Sequence, residues 1–480
     1  MRSIIADVKL SLNEICKMCG GSLVLSGMSG EEKISAVCTD SREADGETLF
    51  VAIKGERVDG HDYILQNAMR GCPFSLAEYL PKMNTDSPYA VVLVDNVLAA
   101  LEKIGRAHRA RLDCFTVGIT GSVGKTTTKE FIAAVLSEKE KTFKTEGNFN
   151  SVIGMPLAIL GMSREHRAAV IEMGMSGFGE IASMSRAALP KVAVVTNIGT
   201  SHLELLGSRE NICRAKMEIT EGLPEDGILI LNGDEPLLIS ADKKGKKVFY
   251  VGIENRNADL RALNIRMSIG KTVFDILAGG RIYSNIEIPV MGQHNVYAAM
   301  FAFSVGRLFG MDVESIRRGL LNYKSVGMRQ NIYELGGITL IEDCYNASPE
   351  SMRSAIDVMT ELSLQKNGAR RVALLGDMLE LGENSPALHR EVGRYFAKSG
   401  ASLLFTYGKR AQDIARSAEE NGMNPESVYV NPNEGTPTAT GEMLLYALKE
   451  GDILLVKASR SMAAENIIAY LRENIDKLSK

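Results

Sequence analysis

At 480 residues the chain exceeds what one hydrophobic core usually fills, so two or three domains are expected. Apolar and charged shares of 45% and 24% are those of an ordinary globular protein, and a net charge of −4 lacks the basic character that nucleic-acid or anionic-membrane binding calls for. No apolar run is long enough to span a bilayer, and the start MRSIIADVKLSLNEI has no signal-peptide core, so a cytoplasmic protein is expected. The seven cysteines are scattered and odd in number, as reduced thiols are, and Cys16-x-x-Cys19 has no second pair with which to build a metal site.

Residues 1–111 mix short strands and helices. Alternating Leu49, Val51 and Ile53 predict a strand, and Asp59-Gly60-His61 predicts a helix start. Ser41 and Arg42 could hold a phosphate-bearing ligand through the arginine fork, or form a solvated surface turn.

Residues 112–328 alternate strand and helix. FTVGIT, AAVIEMGM, VAVVTNIG, GILILNG and KVFYVGI are short, unbroken and β-branched, as strands buried on both faces of a parallel sheet should be. The first runs into TGSVGKTTTKE, a glycine-rich turn followed by a helix, which reads as a phosphate cradle. Gly121, Ser122, Val123 and Gly124 supply backbone N–H groups, Lys125 reaches the β/γ-phosphates of ATP, and the Thr126 hydroxyl, beside Thr127, is suited to its Mg2+. The usual motif has glycine where this chain has Ile119, with Gly118 and Gly121 to either side. Glu172 and the run Asn197 to Glu204, which includes His202, fall at the carboxyl ends of strands, where ligands of such sheets gather. In GQHNVYAAM, after a strand expected at residues 286–290, His294 and Asn295 could read an adenine edge or cap the helix that follows.

Residues 329–480 repeat the alternation in ITLIEDCY, RRVALLG, ASLLFTYG, SVYV and DILLVKAS, without a phosphate loop. Polar clusters around Asp343 to Pro349, Gly376 to Glu383 and Lys457 to Arg460 lie at strand ends and suggest one binding face. The expected fold is therefore α/β in three domains: a small N-terminal α/β domain, a central P-loop ATPase with a mostly parallel sheet, and a C-terminal Rossmann-like domain.

GITGSVGKTTTKE, NIGTSHLE, GQHNVY and EDCYNASPESM, in that order, make the chain resemble from end to end the Mur ligases, ATP-dependent amino-acid-adding enzymes of peptidoglycan assembly. TEGNFNSVIGMPLAIL, EMGMSGFGEI and LLGDMLELGENSPALH resemble the members that join D-alanyl-D-alanine to UDP-N-acetylmuramoyl-tripeptide. The Asn-Pro-Arg motif of the diaminopimelate-adding members does not occur, and the folate-polyglutamating relatives lack a first domain like this one.

The resemblance implies roles. Residues 1–111 would bind the UDP end of the substrate, 112–328 ATP, and 329–480 would close over ATP and the dipeptide, swinging near Val326, Gly327 and Met328. Lys125, Lys216 and His202 would be catalytic; Thr126, Glu172, His202 and Lys216, the last carbamylated, would serve Mg2+. His294 and Asn295 would flank adenine, Arg329 and Asp343 would hold the nucleotide, and Asn148, Asn150 and Asn346 would join Ser41 and Arg42 in binding substrate. The reaction would run through an acyl phosphate in a monomer, with no nucleic-acid partner and no membrane insertion. Relatives usually carry Asn at Ala298 and Ser151 and Gly at Ala458. A ligase adding a single amino acid, or a nucleotide-binding regulator, are the alternatives; Glu172, His202 and Lys216 argue against the regulator.

Overall fold

The computed structural model describes residues 1–431 and 437–477, which fold around three large sheets, each with its own cores. In the first sheet, parallel strands Ala36–Cys38, Thr48–Val51, Phe74–Ala77 and Tyr89–Leu93 are flanked by antiparallel Arg2–Ile4 and Ser22–Ser26. The expected helix at Asp59 is instead a 3-10 turn, Gly60–Tyr63, capped by the Asp59 carboxylate, and the α-helix proper is Ile64–Met69.

The second sheet has nine strands. Its parallel part runs Thr142–Lys144, Ala168–Glu172, Phe115–Thr120, Val192–Val195, Ile228–Asn232 and Lys247–Gly252. Helices Lys125–Ser137 and Gln293–Leu308 cover one face and Glu180–Ala188 and Arg209–Met217 the other, so the strands are apolar on both sides. The sheet then continues into an antiparallel meander, Leu260–Ser268, Lys271–Ala278 and Arg281–Ile288, where strand–helix alternation was expected. The turn between the last two is Gly279-Gly280, both with positive φ (55° and 75°), the backbone that a two-residue hairpin requires. The first of these strands alternates partly buried with exposed residues over its second half, so it reads more weakly than a doubly covered strand.

The third sheet orders antiparallel Asn331–Leu335 before parallel Ile338–Glu342, Ile453–Lys457, Arg371–Gly376, Leu403–Tyr407 and Val428–Asn431, with helices on both faces.

The first two bodies share a core: Leu157 and Leu160 of helix Gly154–Leu160, which follows the second sheet's edge strand, are buried in the N-terminal cluster. Ala6 N–H donates to Leu160 C=O (2.9 Å), and Arg186 forks onto Glu102 at 2.9 and 3.0 Å. Between helix Val97–Arg109 and strand Phe115–Thr120 the chain turns around Arg109. Only 6% exposed, this side chain donates to the Thr116 hydroxyl and the Leu112 and Cys114 carbonyls. Arg109→Met strands those acceptors, and a loss of about 2–3 kcal/mol of stability is expected as a lower urea midpoint with unchanged slope.

Candidate functional site: a phosphate loop facing a two-body cleft

Parallel register sets Val192 beside Val117 and Val195 beside Thr120, so the loops after these strands leave the sheet together. They lock onto each other. The Thr196 hydroxyl donates to Val123 C=O (2.7 Å), Asn197 Oδ1 accepts from Val123 N–H (2.9 Å), and Ser122 N–H donates to Asn197 C=O (3.1 Å). Gly121 has φ +148°, and a Cβ there would stand 1.9 Å from Thr196 Oγ1, so this contact tolerates only glycine. Gly124, at φ +81°, starts helix Lys125–Ser137 with no side-chain cap and no acidic residue in the first turn, leaving its first amides for an anion. The Ser122 hydroxyl is buried without a partner. Lys125 Nζ folds over its own loop onto Gly121 C=O (2.9 Å) and Ser122 C=O (3.4 Å). Burial and Arg329 lower its pKa, against the pull of Glu172 and Glu380.

Behind the loop lies a charge network. Lys129, 2% exposed, donates to Thr145 C=O (2.7 Å) and stands 3.2 Å from Glu130 and 3.8 Å from Glu172 Oε2. Glu172 Oε1 accepts from the Asn150 amide (3.0 Å), whereas Oε2 is buried without a hydrogen bond. That oxygen is the site's clearest unmet valence.

A cavity of about 760 Å3 opens before the loop, between the second and third sheets. Ser122, Val123, Gly124, Lys125, Thr126 and Thr127 line one side with Asn150 and Glu172; His294, Asn295, Arg329, Asp343 and Asn346 line the other. Asn295 is no helix cap: its amide donates to Met291 C=O (2.7 Å) and Gln330 Oε1 (3.3 Å). Asp343 pairs with buried Lys457 at 2.6 Å, and the Arg329 guanidinium lies 3.8 Å over the Tyr345 ring. Of the unusual positions, Ala298 lines the cavity, Ser151 Oγ accepts from Gly154 N–H (3.1 Å), and Ala458 packs against Gly376, where an added Cβ would stand 2.6 Å away.

Other expected residues lie outside the cavity. Gly121 is behind the loop. Asn148 is exposed, and Arg42 forks onto Asp40 at 2.9 and 2.6 Å with Ser41 in the same exposed 3-10 turn, far in sequence from the cleft-lining residues. His202 Nδ1 meets Glu380 Oε2 at 2.7 Å, a contact joining the second and third bodies. Its backbone is left-handed, φ +64°, at the start of helix Leu203–Leu206. Lys216, on helix Arg209–Met217, is 1% exposed and has no carboxylate partner among the described residues; burial, with Lys125 adding to it, holds its pKa well below the usual value. Lys129, Gln330 and Glu350, which lines the cavity and accepts from the Thr200 hydroxyl (3.2 Å), went unselected, and Asn197 was marked only as the start of a strand-end run. Asn197 and Glu350 sit in motifs at strand ends or a helix start, but Lys129 has no signal short of the fold, because a lysine in a helix normally faces water.

A nucleotide-scale cleft, an uncapped phosphate loop and a second α/β body across it define an ATP-binding enzyme of the phosphate-loop class. The comparisons narrow this. Residues 119–306 match the Mur ligase middle domain, 328–460 the Mur ligase glutamate ligase domain, and 33–78 the Mur ligase family catalytic domain. A Bacillus subtilis UDP-N-acetylmuramoyl-tripeptide–D-alanyl-D-alanine ligase is 39% identical over 97% of this chain and 99% of its own. MurF from Acinetobacter baumannii superposes with TM-score 0.86 at 28% identity, covering 97% of this chain and 99% of that one. MurF ligase from Thermotoga maritima in complex with ADP gives 0.81 at 29%, covering 92% and 98%. The chain belongs to the Mur ligase family.

Gly121→Ala is expected to cost at least about 100-fold in affinity for a fluorescent ATP analogue, since the methyl must displace Thr196 and with it the loop. Asn197→Ala, which removes one loop hydrogen bond, should cost about tenfold in the same titration.

Proposed function

We propose that this protein is an ATP-dependent, ADP-forming ligase that joins D-alanyl-D-alanine to UDP-N-acetylmuramoyl-tripeptide, yielding the UDP-muramoyl-pentapeptide. The observation that carries it is the cleft itself, whose lining brings together an uncapped phosphate loop, Glu172 with one oxygen free of hydrogen bonds, Lys125 and Arg329. Near-full-length likeness to D-alanyl-D-alanine-adding ligases supports the substrate pair. On this reading it works as a monomer in the cytoplasm; among the described residues no helix is long and apolar enough to cross a membrane.

The donor set fits Mg2+. A hard cation takes oxygen ligands and shares them with phosphates, so one carboxylate oxygen at Glu172 and one hydroxyl at Thr126 suffice without a larger cage. Among the described residues no group of three or more His, Cys, Asp or Glu forms such a cage. When bound, the ion offsets charge on the phosphates. On this reading Lys216, which does not line the cavity, would be carbamylated: its burial favours the neutral amine that carbon dioxide needs.

The chemistry asks for positioning and positive charge. The tripeptide carboxylate attacks the γ-phosphorus, the bond to ADP breaks, and the amine of the dipeptide then displaces phosphate from the acyl phosphate to form the amide. Lys125 and the loop amides hold the phosphoryl oxygens, and Asn150, braced on Glu172, faces the acceptor side. The N-terminal body takes the UDP moiety on this reading. The C-terminal body brings Arg329 and Asp343 to the nucleotide and closes about Gly327, whose φ of +69° marks a turn between the bodies.

Phosphate release should require both UDP-muramoyl-tripeptide and D-alanyl-D-alanine; release with neither, and no amide with both, overturns the reading. Lys216→Ala should lower ligation by about 10²–10³-fold with ATP binding retained, and added acetate should restore part of the rate. Full rates from that variant would refute the lysine's role. Closure should show as a smaller radius of gyration in X-ray scattering with nucleotide and acceptor than without; identical profiles would count against it.

A further inference from the structure

Lys129 and Glu130 are neighbours on the helix that follows the phosphate loop, both are buried, and neither lines the cleft. The reaction as described uses neither of them. With Lys144 and Glu172 they form a cluster of two ammonium groups and two carboxylates, balanced in charge but uneven in spacing. Lys144 donates to Glu130 Oε2 at 2.6 Å, and Lys129 stands 3.2 Å from Glu130 Oε1 but stops 3.8 Å short of Glu172 Oε2. Lys129 also donates to Thr145 C=O (2.7 Å), and the hydroxyl of that threonine accepts from Glu172 N–H (3.0 Å). The Asn150 amide takes the other carboxylate oxygen, Oε1, at 3.0 Å. Glu172 is therefore pinned at its backbone and at one oxygen, while Oε2 stays buried and bare although an ammonium lies beside it. A buried carboxylate oxygen next to a lysine ordinarily takes a hydrogen bond from it. Here Thr145 C=O and Glu130 hold the ammonium back.

We propose that Glu130 is a positioning residue for the cation site: it draws Lys129 off Glu172, so that Oε2 stays available to the Mg2+ that accompanies ATP. The inference rests on the reading of Glu172 as a magnesium ligand. Of the two carboxylates beside Lys129, only Glu172 lines the cleft, so pairing the lysine with Glu130 leaves the useful one open. A Lys129 released from Glu130 has Glu172 as its next partner. Closing the gap to a full ion pair strengthens that pair about tenfold at the effective dielectric of protein sites, and a cation would have to displace it. Lys144 holds Glu130 from its other oxygen.

The test titrates Mn2+, a paramagnetic ion with the same preference for oxygen ligands, into the full-length enzyme carrying a non-hydrolysable ATP analogue, with binding read by electron paramagnetic resonance. Glu130→Gln, which keeps the shape and removes the charge, should weaken Mn2+ binding about tenfold, because Lys129 then pairs with Glu172. Lys129→Met should bind Mn2+ at least as tightly as the wild type, and combining it with Glu130→Gln should recover at least wild-type affinity. These two variants carry the test if Glu130→Gln alone does not fold. Affinity for the analogue without metal should stay within about twofold in all three, since the loop amides are untouched. A Glu130→Gln enzyme with wild-type Mn2+ affinity, or a double variant that remains weak, overturns the assignment. So does a Lys129→Met enzyme that binds Mn2+ more weakly, which would make the lysine a prop for Glu172 and not a competitor, and so does a metal-free affinity that falls as far as the Mn2+ affinity. A wild type that binds Mn2+ no better than Glu172→Gln overturns the magnesium reading of Glu172 instead.

Discussion

The site depends on one interlock, the Thr196 hydroxyl set against Val123 and into the space left by the missing side chain of Gly121. Parallel pairing brings two strand ends side by side, but it does not shape the loops that leave them. The interlock does. It fixes the phosphate loop to the neighbouring loop through three hydrogen bonds, so the amides of the following helix face the cleft before any ligand arrives. Lys129, from the same helix, reaches Thr145 and stands beside Glu172, which braces Asn150. The phosphate loop, the Glu172 carboxylate and the Asn150 amide thus belong to one connected network. Preorganisation of this kind is what a reaction between two anions requires.

Charge in the cleft is unevenly matched. Asp343 is neutralised by Lys457 at 2.6 Å, yet Glu172 keeps one oxygen without a hydrogen bond, only 3.8 Å from Lys129, and Lys216 pairs with no carboxylate among the described residues. Burying such groups unpaired is costly, and a sequence retains them where a ligand completes the set. The same imbalance separates the working edge from the structural one. Arg109 is as deeply buried, but Thr116 and two carbonyls occupy its donors, which makes it a fastener.

Much of this was legible in the sequence because its signals are local. The phosphate loop shows as a glycine-rich turn between an apolar strand and a helix, and the doubly covered strands as unbroken β-branched runs. The antiparallel meander was missed because its strands are covered on one side, and the short period-two signal is easily lost among charged residues. Lys129 was missed for a different reason: its partners come from a strand edge and the following loop, and only the fold brings them together. His202 stands out in the sequence at a strand end, but its contact with Glu380 spans two bodies and no sequence window contains it. Of the two readings open for Asn295, the structure excludes the helix cap, since its amide nitrogen donates to Met291 and Gln330 while the residue lines the cavity.

Leu157 and Leu160 belong to the N-terminal core although they lie beyond the phosphate loop in the chain. During synthesis the first sheet can therefore form its strand pairs early, but it cannot exclude water from its core until the chain through residue 160 has left the ribosome. By then the phosphate-loop strand and helix have emerged as well, with their own sheet still missing most of its strands. The first two bodies are thus joined in the order of their assembly, and a nascent chain halted between residues 111 and 154 would expose apolar surface that a self-contained first domain would have covered.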